Sequence, residues 1–327
     1  LPSFIRQLLT THGHINTSQL TNSHMIADDA RQGLYIIDER SSTLRLSAMG
    51  RKILLNGLTP SFMALAPTKG RLYVADSTRH VIHEIEVMTG RELRALPQVF
   101  PRPTPFTGMA LTRDEKRLYV GNQGGGGVLS AGGIVVYDLE HGSAPVSIGG
   151  VACPEGMSIT ADGEHIYLAS QCGGGKDALF AVDTNLDVAT AVAPDLAIGR
   201  AAVVVPAGRK VYVSRGEPER ITIVKARTRE TVGSLSIAAR SMAVSQDGST
   251  VVVSDSTNRR KLHLIDTATD RVTTVTLGMS VESMTIGESN GNAMVIAWVP
   301  ERKEAPVYFQ SVAGLLAGAG SADLGGR

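Results

Sequence analysis

A short strand-like motif centred on a tyrosine or its apolar equivalent recurs along this chain, and the recurrence limits the possible folds more than any other feature. The copies are Leu34–Asp38 (LYIID), Leu72–Asp76 (LYVAD), Leu118–Asn122 (LYVGN), Ile166–Ser170 (IYLAS), Val211–Arg215 (VYVSR), Val251–Asp255 (VVVSD) and Met294–Trp298 (MVIAW). From Tyr35 to Val295 their centres are 38, 46, 48, 45, 40 and 43 residues apart. An apolar stretch precedes each copy, centred on Met25, Met63, Met109, Met157, Ala202, Met242 and Met284. Gly156–Thr184 shows the whole unit: a strand, the turn Ala161-Asp162-Gly163-Glu164, a second strand, a glycine-rich loop and a third strand closing on Asp183-Thr184. Strands joined by Asp-Gly turns form hairpins, and one such unit cannot bury both faces without neighbours of its own kind.

Repeats of this length built from strands are blades of a β-propeller rather than helical pairs. The expectation is therefore an all-β, seven-bladed propeller of four-stranded antiparallel blades. Its blades fall near 23–59, 60–104, 105–152, 153–197, 198–238, 239–280 and 281–312. The whole of 1–312 forms one domain, since all-β repeat folds reach this length undivided. The last repeat offers only three strands. Residues 1–22, with the apolar segment Phe4–Leu9, are expected to supply its outer strand and close the ring, with a short amphipathic helix as the rival reading. Residues 313–327, rich in Gly and Ala, read as a tail or a linker to a further domain. Because the first residue is Leu1, the chain is expected to be processed or cut from something longer. No apolar run is long enough for a membrane-spanning helix. With 32 basic and 31 acidic residues, the overall charge does not point to nucleic acid.

The Tyr-Val-x-Asn/Asp strand, the upstream Asp-Gly hairpin and Ile265-Asp266-Thr267-Ala268-Thr269 resemble the YVTN-type propeller repeat over residues 23–312. That resemblance implies the fold and leaves the activity open. Similar propellers serve as surface-layer modules, lactonase-like enzymes and heavy chains of amine dehydrogenases.

Two residues before each aligned methionine stand Ser23, Ser61, Thr107, Glu155, Arg200, Arg240 and Glu282, positions expected to ring one mouth of the central channel. The second strands end nearby, where Arg215 and Trp298 replace the small turn-formers found elsewhere. Glu155, Arg200, Arg215, Arg240, Glu282 and Trp298 form a candidate site for an anionic small molecule or an anionic partner protein, gripped by forked arginine hydrogen bonds. Asn122 and Gln171, at the starts of the two glycine-rich loops, complete the set. An alternating Glu/Arg ring that pairs only with itself explains the same residues without a ligand. The glycine loops 124–133 and 173–175 lack the features of a phosphate-binding loop.

Catalytic candidates are thinner: Glu155 and Glu282 as an acid and base pair, and His24 at a channel entry. A lactonase-like hydrolase or lyase is the alternative to a non-catalytic binding module. No cofactor is expected, and no metal, since the resemblance would place arginines where a lactonase-like propeller holds its dication. Cys153 and Cys172 belong to loops on one face of one blade; a disulfide or two free thiols both fit, and a bridge would point to a secreted or periplasmic setting.

Overall fold

The computed structural model describes residues 25–31, 33–38, 43–49, 51–99, 105–123, 132–160, 162–170, 178–194, 202–204, 210–215, 220–245, 247–281, 283–289, 292–298 and 307–318. These residues form seven antiparallel sheets in which consecutive strands are neighbours, the meander expected of propeller blades. The second strands, the most regular elements, are Gly33–Asp38, Arg71–Asp76, Arg117–Gln123, His165–Ser170, Lys210–Arg215, Thr250–Asp255 and Asn292–Trp298. Six sheets have four strands, and the seventh has three among the described residues: Ser283–Ser289, Asn292–Trp298 and Val307–Ser311. The segment 1–22 expected to supply its outer strand lies outside the described residues.

The expected pairing holds at residue level in blade 4, where Met157 pairs with Leu168 and Ile159 with Ile166. Second strands are buried almost end to end, as in Arg71–Asp76 and Thr250–Asp255. A strand covered on both faces selects a continuous apolar run instead of an alternating one. Outer strands such as Thr231–Leu235 are exposed.

Turns between first and second strands repeat one hydrogen-bonded device. Thr112 Oγ1, Thr160 Oγ1 and Ser245 Oγ donate to Asp114, Asp162 and Asp247, and the same oxygens accept from the N–H groups of Arg117, His165 and Thr250. Each aspartate then accepts from the backbone two residues on. The Asp-Thr signature ending third strands has a matching cause: Thr184 Oγ1 donates to the Gly163 carbonyl and Thr267 Oγ1 to that of Gly248, both at 2.6 Å. These threonines tie one turn to the other within each blade.

The chain divides into two compact units, residues 1–72 with 84–94 and 241–327, and residues 73–83 with 95–240. In the first, the inner strand of blade 1, Met25–Asp28, lies beside the inner strand of blade 7, so residues far apart in sequence adjoin. Its core includes Val252, Leu264, Val275, Met284 and Val295. The last of the expected strands runs to Val312 in the sequence reading. Instead the strand ends at Ser311, and a helix follows over Val312–Ala317. Ser311 caps it, its Oγ accepting from the Gly314 N–H, and Val312 and Leu315 enter the same core. In the second unit the inner strands Phe106–Leu111, Pro154–Ile159 and Ala202–Val204 are successive neighbours. Here the core fills the spaces between blades 3 and 4 and between blades 4 and 5. The repeated tyrosines latch these spaces: Tyr119 Oη donates to Asp187 Oδ1 at 2.6 Å and Tyr167 Oη to the Ala226 carbonyl at 3.1 Å. Burial, reinforced by the Asp187 hydrogen bond, raises the Tyr119 phenol pKa, so the latch stays protonated.

Candidate ligand-binding site

The loops joining second to third strands are built around the residue that ends each second strand. In blade 6, Asp255 Oδ1 accepts from the Thr257 N–H and hydroxyl and from the Asn258 N–H, folding the turn around the carboxylate. Oδ2 meets His263 Nε2 at 2.9 Å, and His263 Nδ1 lies 2.9 Å from Thr274 Oγ1 on the outer strand. Burial works to raise the Asp255 pKa, but the Thr257, His263 and Asn258 hydrogen bonds outweigh it and hold the carboxyl down at about 2. Blade 2 repeats the arrangement with Asp76, whose Oδ1 accepts from the Thr78 and Arg79 N–H groups, and His83 at 3.5 Å. Both histidines are the third residue of a third strand and both pairs are buried. Sequence reasoning missed these pairs, although Asp76…His83 and Asp255…His263 recur at nearly one spacing. His80 sits in the turn before the third strand of blade 2, with φ +54°.

Between blades 3 and 4 the backbone is crowded. Met157 packs against Gly108 and Gly121, and a methyl group on Gly121 would stand 2.8 Å from Thr107 Oγ1 and 3.2 Å from Met157 Sδ. Asn122, next in the chain, is buried and engaged within the protein: Gln98 Nε2 donates to its Oδ1 at 2.6 Å, and its Nδ2 donates to the Val120 carbonyl. Across from it, the inner strand of blade 4 carries a register shift between Glu155 and Met157, with Gly156 at φ +56°. Glu155 itself pairs with Ala169. Cys153, at φ +45°, is disulfide-bonded, and the chain's other cysteine is Cys172, which lies outside the described residues.

The arginines are distributed over blades 5 and 6. Arg215 ends the second strand of blade 5 and pairs directly with Arg220, the first residue of the third. Arg240 lies half-buried near the start of the inner strand of blade 6. Trp298 pairs with Ser283 and with Val307 in blade 7. Arg200, Gln171, Glu282 and His24 are outside the described residues. Glu155, Arg215 and Arg240 belong to the second compact unit and Trp298 to the first. Arg220 was absent from the sequence-derived set; its signal was the pattern KVYVSR…RITIVK, which forces like charges together once the two strands pair.

No family model matches the chain, so the YVTN-type likeness remains a resemblance, and no curated protein matches it in sequence. Solved structures do match in fold. Hydrazine synthase of Kuenenia stuttgartiensis superposes with a TM-score of 0.71 at 14% identity, covering 93% of this chain and 99% of that one. The β-propeller domain of Cps50 (Swd1) from Myceliophteria thermophila gives 0.65 at 14% identity over 90% and 99%. Dihydro-heme d1 dehydrogenase NirN gives 0.56 at 12% identity over 80% of this chain and 55% of that one. The chain is a seven-bladed β-propeller, and the fold is shared by enzymes and by propellers without catalysis.

Proposed function

We propose that this chain is a non-catalytic propeller that recognises an anion, carried by a small molecule or a partner protein, at the end where second strands turn into third. The observation that carries this reading is the direct pairing of Arg215 with Arg220. Like charges opposed in an antiparallel ladder cost about 0.2–1 kcal/mol relative to neutral pairs, a cost that a bound anion removes. Arginine forks match carboxylate, sulfate and phosphate oxygens. On this reading Arg200 and Arg240 extend the cationic set and Glu155 orients it. The Cys153 disulfide supports a secreted or periplasmic setting, where such a bond persists.

The test is thermal unfolding of the wild type and of Arg200→Ala/Arg240→Ala against phosphate, sulfate, citrate and succinate. An anion held at a hundred times its Kd stabilises the fold by about 2.7 kcal/mol. The expected result is a rise in Tm with at least one anion, lost in the double variant while its unliganded Tm stays within a degree or two of wild type. A double variant that fails to fold would show instead that these arginines form a structural ion ring. A tightly held divalent ion in the purified protein, together with lactone turnover, would favour the hydrolase or lyase reading.

A further inference from the structure

Blade 6 carries a third hydrogen-bonded group that the turn around Asp255 does not require. Asp255 and His263 are buried, 7% and 8% exposed. Thr274, which completes the row, is exposed on the outermost strand of the sheet, Val272–Thr276. Asp255 Oδ2 lies 2.9 Å from His263 Nε2, and His263 Nδ1 lies 2.9 Å from Thr274 Oγ1. The direction of these bonds follows from the carboxylate. With its pKa at about 2, Asp255 is ionised at neutral pH and only accepts, so Nε2 carries the ring proton. Nδ1 of the neutral imidazole is then an acceptor, and the Thr274 hydroxyl donates to it. A surface hydroxyl thus points its proton at a buried base whose far side is fixed by a carboxylate, the arrangement that activates a nucleophile.

Strand register builds this row. The Asp266 N–H donates to the Arg271 carbonyl and the Leu277 N–H to that of Arg260, so hydrogen-bonded pairs fall at every second residue and His263 with Thr274 is a non-hydrogen-bonded pair between them. Such pairs bring their side chains closest together. Lys261, opposite Thr276, is the next residue of the third strand on the same face. Blade 2 shows that the histidine pair does without the hydroxyl. Its bond from the Glu86 N–H to the Arg91 carbonyl matches that from Asp266 to Arg271. Three residues further on, where blade 6 has Thr274, blade 2 has Arg94, which donates to Glu84. Asp76 and His83 keep their places there all the same.

We infer that Thr274 is a nucleophilic acceptor site that takes an acyl group from an activated ester. Oγ1 bonds to the acyl carbon as the hydroxyl proton passes to His263 Nδ1, and the Asp255 carboxylate holds the imidazolium that forms. The bond from the acyl carbon to the leaving oxygen then breaks, and that oxygen takes the proton from Nδ1. The products are acyl-Thr274 and a free alcohol, with His263 neutral again. Lys261, a cation on the same face, favours the negative charge that the acyl oxygen carries in passing. The site uses none of the arginines of the anion site proposed above, so either can fail alone.

The probe is p-nitrophenyl acetate at neutral pH, with peptide mass spectrometry to locate the acetyl group. Thr274 of the folded protein should gain it on the order of a hundredfold faster than Thr276, an exposed hydroxyl of the same strand, because general-base assistance contributes at least that much. His263→Gln should remove the difference, and Thr274→Ser, which keeps the hydroxyl, should retain it. Equal rates at Thr274 and Thr276 overturn the inference, as does a folded His263→Gln variant that labels as fast as wild type. The first comparison is made within wild type, so it decides the matter even where loss of the buried histidine prevents folding. Acetate released beyond a single equivalent per chain would leave the inference standing and overturn the non-catalytic reading instead.

Discussion

Gly121 is the small residue of the second strand of blade 3, and blade 4 side chains crowd against it. The methyl group that alanine adds would meet Thr107 Oγ1 at 2.8 Å and Met157 Sδ at 3.2 Å, with Pro154 Cγ at 3.4 Å. Met157 can shift, but Pro154 is a ring and Thr107 branches at Cβ. Gly121→Ala should therefore lower unfolding free energy by about 1–3 kcal/mol in urea titration, as overpacking does. Gly57, where an added methyl meets nothing within 4 Å, is no control, because its φ of +78° strains any replacement. Asp255 makes a different kind of contribution. Its carboxyl pKa sits at about 2 in the folded protein, below the value near 4 of an unfolded chain. The stabilisation is thus complete above about pH 4 and disappears as pH falls through 2. At pH 7, Asp255→Asn should cost on the order of 2 kcal/mol. Measured again at pH 2, the gap between variant and wild type should largely close. A gap unchanged across that window would mean the carboxylate's charge plays no part.

At the scale of elements, strand pairs and turns were legible because local chemistry specifies them. The Asp162-Gly163 turn is held by Thr160 and His165, all within six residues, so its hairpin follows from neighbours in sequence. The histidine pairs were illegible for the opposite reason. His263 matters only because pairing brings it across from Val253 and beneath the Asp255 turn, and one histidine on an apolar strand looks like any other. The C-terminal helix was missed on composition: VAGLLAG is glycine-rich, and its helical form depends on burial of Val312 and Leu315 against Leu277 and Val295. Tertiary packing overrides weak propensity in so short a helix. Leu315 is 1% exposed, so Leu315→Ala should cost about 2–5 kcal/mol, read as a loss of Tm. Leu316, beside it and 44% exposed, should tolerate alanine with little change, which separates packing from helix propensity.

At the scale of the molecule, the period of the repeats carried the number and kind of the sheets, because each sheet must cover the next. The candidate site was less legible. Its residues come from separate repeats, and the sequence places them at equivalent positions without stating which charges oppose one another; Arg220 entered only through register. Closure presents the same problem at its largest span. Blade 7 has three strands among the described residues, and its inner strand already lies beside that of blade 1. Val307–Ser311 would leave a row of backbone N–H and C=O groups open to a partner unless something covers it. Residues 1–22 stand directly before the first strand of blade 1 and contain Phe4-Ile5-Arg6-Gln7-Leu8-Leu9, long enough for one strand. If that segment pairs with Val307–Ser311, deletion of residues 1–22 should lower Tm by several degrees and speed hydrogen exchange at Val307–Ser311, while the Thr231–Leu235 strand of blade 5 exchanges as before. Unchanged exchange at Val307–Ser311 in the truncated chain would exclude the N-terminal segment as the fourth strand.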